Sequence, residues 1–130
     1  MSELPLILVV EDEYLLQRNV EEALIDGGFA TDAIFSGEEA LTLFMSGTRK
    51  YKALVTDVNL GGELDGWEVA KRIREKDGAF PVVYMTGDAV PEWASHGVPN
   101  SVLVPKPFAL AQLVTAVSSL LNAGTSPPPT

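Results

Sequence analysis

Cysteine is absent from the 130 residues, which excludes a disulfide framework and a thiolate metal site. Basic charge is scarce: nine Lys and Arg stand against 18 Asp and Glu, a formal net charge of −9. A general nucleic-acid binder needs a basic face to displace counterions, so direct nucleic-acid binding is excluded as a function class. The single histidine, His96, has no neighbours in sequence that suggest a ligand or catalytic set, and it reads as a surface residue. No apolar run approaches the roughly 18 residues of a membrane span. The first residues, "MSELP", lack the basic stretch and apolar core of a signal peptide. These absences together read as a cytoplasmic protein without membrane contact.

What is present alternates in type. Residues 5–10, "PLILVV", form a short continuous apolar run, as expected of a strand covered on both faces. From Glu13 to about Gly28, Leu16, Val20, Ala23 and Leu24 recur at helical spacing, and "DGG" stops the helix. "FATDAIF" (29–35) alternates like a strand. "SGEE" (36–39) is a capping box, with Ser36 accepting from a backbone N–H and Glu39 reaching back. Ala40, Leu41 and Phe44 continue that helix to Gly47. "KALVTD" (52–57) is a second apolar run ending in an acid, followed by the glycine-rich loop "VNLGGELDG" (58–66). Asp65 caps a helix whose inner face is Val69, Ala70 and Ile73. "PVVYMT" (81–86) reads as a strand, and residues 87–97 hold at most a short helix, since Pro91 suits only a first turn. "SVLV" (101–104) is the fifth strand. Leu110, Leu113, Val114, Val117, Leu120 and Leu121 trace an amphipathic helix. One domain over residues 1–122 and a flexible, proline-rich tail over 123–130 complete the expected organisation.

Five strands alternating with five helices predict an α/β fold, (βα)5, with a parallel sheet between two helical layers. Ligands of such sheets sit beyond the carboxyl ends of the strands. Glu11 and Asp12 follow the first strand, Asp57 ends the third, Thr86 ends the fourth and Lys106 follows the fifth. Parallel strands end at one edge, so these residues should converge. Three close carboxylates raise one another's pKa and need a compensating cation. Mg²⁺ suits them, because it takes one or two carboxylates, keeps waters and coordinates a phosphate oxygen; Mn²⁺ shares the preference for such oxygens. Lys106 adds a second positive charge. A carboxylate beside a metal and a lysine can attack phosphorus.

With "VVEDE", "VTDVNLGGELDGWE", "VVYMTGDA" and "VPKPF" in this order, the chain resembles the receiver domain of two-component response regulators, over about residues 5 to 122. The resemblance implies a flavodoxin-like (CheY-like) sheet of order 2-1-3-4-5. It implies that Asp57 accepts a phosphoryl group from a histidine kinase or a phosphotransfer protein. Mg²⁺ is then held by Asp12 directly, by Glu11 through water, by Asp57, and by the Asn59 carbonyl, which completes the site. Thr86, Gly87 and Lys106 grip the phosphoryl group, and the Lys106–Pro107 bond is cis. Phosphorylation would repack the face made by the fourth helix, fifth strand and fifth helix, where a downstream protein or a second copy docks. Such a domain is no enzyme beyond its own phosphorylation and dephosphorylation.

Three positions depart from the pattern. Leu103 stands where an aromatic is usual, with Tyr84 as a steric substitute. The loop after Asp57 has Gly61 where proline is common, and one residue more. Pro105 adds a proline before the lysine. Further readings concern Asp88, which lies over the phosphate or caps the short helix, and Trp93, which with Val90 and Val98 forms either core or an output patch. Two other functions fit the residues less well. A Mg²⁺-dependent phosphohydrolase would want an acid two residues after Asp57, where Asn59 stands. A flavin module would be repelled by the acidic "VEDEY". A receiver fragment of a hybrid kinase or transcription regulator is the remaining alternative.

Overall fold

The computed structural model describes residues 4–87 and 90–123, the backbone alone at 90–92 and 123. Asp88, the Val90 side chain and the tail from residue 124 lie outside the described residues. The elements run β1 (Leu6–Val10), α1 (Tyr14–Asp26), β2 (Ala30–Ile34), α2 (Gly37–Ser46), β3 (Tyr51–Asp57), α3 (Gly66–Lys76), β4 (Val82–Thr86), α4 (Val90–His96), β5 (Val102–Pro105) and α5 (Leu110–Ala123). All strands pair in parallel, in the order β2-β1-β3-β4-β5. This is the flavodoxin-like sheet that the sequence predicts.

Strand alternation divides the core into two layers. Leu8, Val10, Leu54, Val82 and Tyr84 point to one face and meet Ala40 and Leu41 of α2 and Val69, Ala70 and Ile73 of α3. Ile7, Val9, Val55, Val83 and Met85 point to the other and meet Val20 and Leu24 of α1 and Leu113 and Val117 of α5. Burying one such aliphatic side chain stabilises the fold by about 1.5–3 kcal/mol. Central strands read as unbroken apolar runs because both faces are covered. β2 is an edge strand and only Ile34 in it is buried, which explains its mixed composition.

Local signals set the helix boundaries. Ser36 accepts from the Glu39 N–H (3.2 Å) at the start of α2, and Gly47 ends it with φ 71°. Asp65 accepts from the Glu68 N–H (2.9 Å) at the start of α3. Glu38, Glu39 and Glu68 lie in first turns and Arg74 and Lys76 in a last turn, as the helix dipole favours. α4 is short, seven residues, as expected of the stretch around Pro91.

Of the two readings for Trp93 the structure supports core. Trp93 packs half-buried on the α2–α3 layer and its indole N–H donates to Ser101 Oγ (2.9 Å), while Val98 is buried. His96 is exposed as expected, with its ring centroid 6.2 Å from that of Trp67. Tyr84 is fully buried, edge-on to Trp67 at 4.6 Å, and its hydroxyl accepts from the Val98 N–H (3.1 Å). It pairs with Leu103 in the β4–β5 ladder. The aromatic bulk missing at Leu103 therefore sits one strand inward, held by packing and a hydrogen bond.

Candidate functional site

Register brings the acids together. Val10 pairs with Thr56, so Glu11 leaves β1 level with Asp57, the last residue of β3. Met85 pairs with Asp57, which sets Thr86 one residue beyond. Oxygens of Glu11, Asp12 and Asp57 all lie within 4.8 Å of one another. Lys106 reaches in from beyond β5, its Nζ 2.8 Å from Asp57 Oδ2 and 3.5 Å from Glu11 Oε1. Its backbone N–H donates to the Thr86 carbonyl (2.6 Å), tying the end of β4 to the lysine, and the Lys106–Pro107 bond is cis.

Each carboxylate has its own anchor. Asp57 Oδ1 accepts from the Asn59 N–H (3.0 Å). Glu11 Oε2 accepts from the Glu13 N–H (2.9 Å). Asp12, more exposed, accepts at Oδ2 from the Gly61 N–H (3.0 Å). Thr86 is fully buried and Gly87 exposed at the strand end. The structure thus brings Glu11, Asp12, Asp57 and Lys106 together, with the Asn59 N–H on Asp57 and the Thr86 carbonyl on the Lys106 N–H.

Burial pushes the Glu11 carboxyl up to about 7; the Glu13 N–H opposes this, the nearby Asp57 charge adds to it, and Lys106 offsets it in part. For Lys106, burial works against the charge, but Asp57 and Glu11 more than compensate and the ammonium is held above its ordinary value. Burial is thus the first cause of the raised Glu11 carboxyl, and a cation bound beside it would favour the charged form. An all-oxygen set of carboxylates from Glu11, Asp12 and Asp57 fits a hard divalent cation such as Mg²⁺ or Mn²⁺.

A pH dependence follows. A folded-state carboxyl raised from 4.5 to about 7 keeps its proton where the unfolded chain has lost it. Its stabilisation is complete below pH about 4.5 and disappears as pH rises through about 7, a change of about 3 kcal/mol. Urea unfolding in EDTA is expected to show stability falling between pH 5 and 8, with Mg²⁺ flattening the decline. A metal-free profile that stays level or climbs would refute this.

Sequence reasoning missed two supports. Gln17, buried in α1, donates from Nε2 to the carbonyls of Glu11 and Ile34, both at 3.1 Å, and so holds the end of β1 against that of β2. A polar residue amid the apolar stripe of α1 was the available signal. The Glu13 amide leaves no signal, because any residue but proline supplies an N–H, whereas Gly61 in place of the usual proline is what frees an N–H for Asp12.

Comparison with known proteins agrees with this geometry. The family model described as the response regulator receiver domain matches residues 7–118. The transcriptional regulatory protein TctD of Salmonella typhimurium is 34% identical over 118 residues, 89% of this chain and 51% of that protein. CusR of Escherichia coli, also called a transcriptional regulatory protein, is 29% identical over 121 residues, 91% of this chain and 52% of its own length. The chain spans about half the length of the curated relatives it matches. Among solved structures, a response regulator receiver protein from Sinorhizobium medicae is 45% identical, covering 93% of this chain and 97% of that one, with a TM-score of 0.90. A putative response regulator from Chloroflexus aurantiacus shares 27% identity over 92% of this chain and 98% of that one, with a TM-score of 0.81.

Proposed function

Because this chain belongs to the response regulator receiver domain family, we propose that Asp57 is its phosphoacceptor, with Glu11, Asp12, Asp57 itself and the Asn59 carbonyl as the Mg²⁺ site. It is a signalling domain of two-component systems rather than an enzyme acting on an external substrate. The observation that carries the assignment is the Lys106 ammonium 2.8 Å from Asp57 Oδ2, beside the Glu11, Asp12 and Asp57 carboxylate cluster.

The transfer follows from these positions. A carboxylate oxygen of Asp57 bonds to phosphorus as the donor's P–N bond, on a phosphohistidine, breaks and the imidazole departs with its electron pair. Lys106 neutralises charge on the phosphoryl oxygens from one side. Bound Mg²⁺ supplies further charge neutralisation and alignment from the acidic side. Thr86 and Gly87 receive the phosphoryl oxygens at the strand end. An acyl phosphate adds about two negative charges at Asp57, drawing Thr86 and its loop toward it. The face of α4, β5 and α5 then repacks for a downstream partner or a second copy.

The donor is a histidine kinase or a phosphotransfer protein. Residues 1–122 make up the receiver, with 123–130 as a proline-rich tail. Among the described residues no helix is long and apolar enough to cross a membrane. A second reading, control of a transcription module, is favoured by the names of the longer relatives.

Incubation with Mg²⁺ and acetyl phosphate is expected to place one labile phosphate on each chain, and none in EDTA. Steady hydrolysis of a phosphomonoester without protein phosphorylation would instead favour a hydrolase.

A further inference from the structure

Asp12 is the most exposed of the three clustered acids. Glu11 is fixed by the Glu13 N–H and Lys106, and Asp57 by the Asn59 N–H and Lys106. Among the described residues, the hydrogen bond on Asp12 comes from Gly61, in the loop between β3 and α3.

That loop is seated on α2. Glu38, in the first turn of α2, accepts at Oε2 from the Glu63 N–H (2.9 Å), across 25 residues of chain. The Glu63 N–H, followed by the amide of Glu38 itself, holds the Glu38 carboxyl below its usual range. Its other oxygen, Oε1, is buried without a hydrogen-bond partner. Gly62, at φ 104°, passes so close that a Cβ there would stand 3.2 and 3.3 Å from the two carboxylate oxygens. Next to Glu38, Gly37 is also buried, and a Cβ on it would meet the Leu64 carbonyl at 3.0 Å. Two consecutive residues of α2 therefore seat residues 62–64, and the same short loop presents the Gly61 N–H to Asp12.

We infer that Glu38 is a positioning residue for metal binding: it pins the β3–α3 loop so that the Gly61 amide holds the Asp12 carboxylate in the pocket. The inference rests on the reading of that pocket as a Mg²⁺ site. An exposed carboxylate must otherwise be ordered by the metal itself, which weakens binding. Hydrogen bonds behind a metal ligand orient it, and their loss commonly lowers affinity 10- to 100-fold. The loop, one residue longer than the family pattern, is fastened to α2 at Glu38 and to Asp12 just after β1.

The test is Mg²⁺ titration calorimetry on the whole chain, with amide exchange at Gly61 and Glu63, for wild type, Glu38→Ala and Glu38→Gln. Glu38→Ala is expected to raise the Mg²⁺ Kd about tenfold or more and to strip exchange protection from both amides. Glu38→Gln keeps an acceptor oxygen and is expected to recover most of both. Recovery by the glutamine separates positioning from a general loss of stability. Equal Mg²⁺ affinity in wild type and Glu38→Ala overturns the role of Glu38 and leaves the pocket assignment standing. A flat titration for the wild type overturns the pocket assignment and this inference with it.

Discussion

Asp57→Asn is expected to reduce phosphate uptake from acetyl phosphate to background while the fold is kept. The amide has the shape of the carboxylate, and its oxygen can still accept from the Asn59 N–H. What it lacks is charge, and an amide oxygen is a poor nucleophile toward phosphorus. Neither neighbouring acid can take over. Glu11 is 1% exposed, with one oxygen on the Glu13 N–H and the other facing Lys106. Asp12 is held by the Gly61 N–H and, unlike Asp57 and Glu11, has no ion pair with Lys106 among the described residues. The lysine itself loses the closer of its two carboxylates, at 2.8 against 3.5 Å. Intact-protein mass spectrometry after incubation with Mg²⁺ reads the result directly. A variant that takes up phosphate to the wild-type extent would move the acceptor elsewhere.

Gly66→Ala is expected to be the most damaging single methyl group in the chain. Gly66 begins α3, is buried, and donates its N–H to the Val58 carbonyl (2.9 Å). A Cβ there would collide with the carbonyl oxygen of Asp57 and come within 2.9 Å of Val58 Cα. Both obstacles are backbone at the end of a central strand, so no side chain can swing aside. Overpacking of this kind costs up to about 3 kcal/mol, or about 10 °C in Tm for a domain of this size. Because α3 would lift from the residue that carries Asp57, phosphorylation should slow along with the loss of stability. Gly78→Ala is the control: the nearest contact of its Cβ is 3.9 Å away, and its Tm should stay close to wild type. Thermal melts of the two variants decide the matter, and a Gly66→Ala melt matching that of Gly78→Ala would refute the packing account.

The fold was legible in sequence for a definite reason. β1, β3 and β4 are covered on both faces, so their aliphatic runs are unbroken and their ends are marked by Glu11, Asp57 and Thr86. Parallel topology then forces those ends to one edge, and the pocket follows with little further information. β2 was less sharply marked because an edge strand tolerates Thr31 and Asp32, the latter taken up by Arg49 and Tyr51. The anchors of the acids were not legible, because backbone amides are common to nearly every residue and only folding decides which carboxylate each one meets. The place of Tyr84 was half-legible. Its register with Thr86 suggested a stand-in for the aromatic absent at Leu103, but its full burial and its bond to Val98 became apparent only once α4 and its following loop were placed.

The two tryptophans sit at different depths in one core layer. Trp67 is buried one residue after Gly66, the point where α3 rests on the Asp57 backbone, whereas Trp93 is half-exposed on α4 with its indole tied to Ser101. Indole emission follows the polarity around the ring, so the buried Trp67 is expected to emit to the blue of the half-exposed Trp93. With His96 beside Trp67, both rings neighbour α4. The chain carries its own pair of optical gauges, and one unlabelled sample can tell whether a disturbance at the first reaches the second.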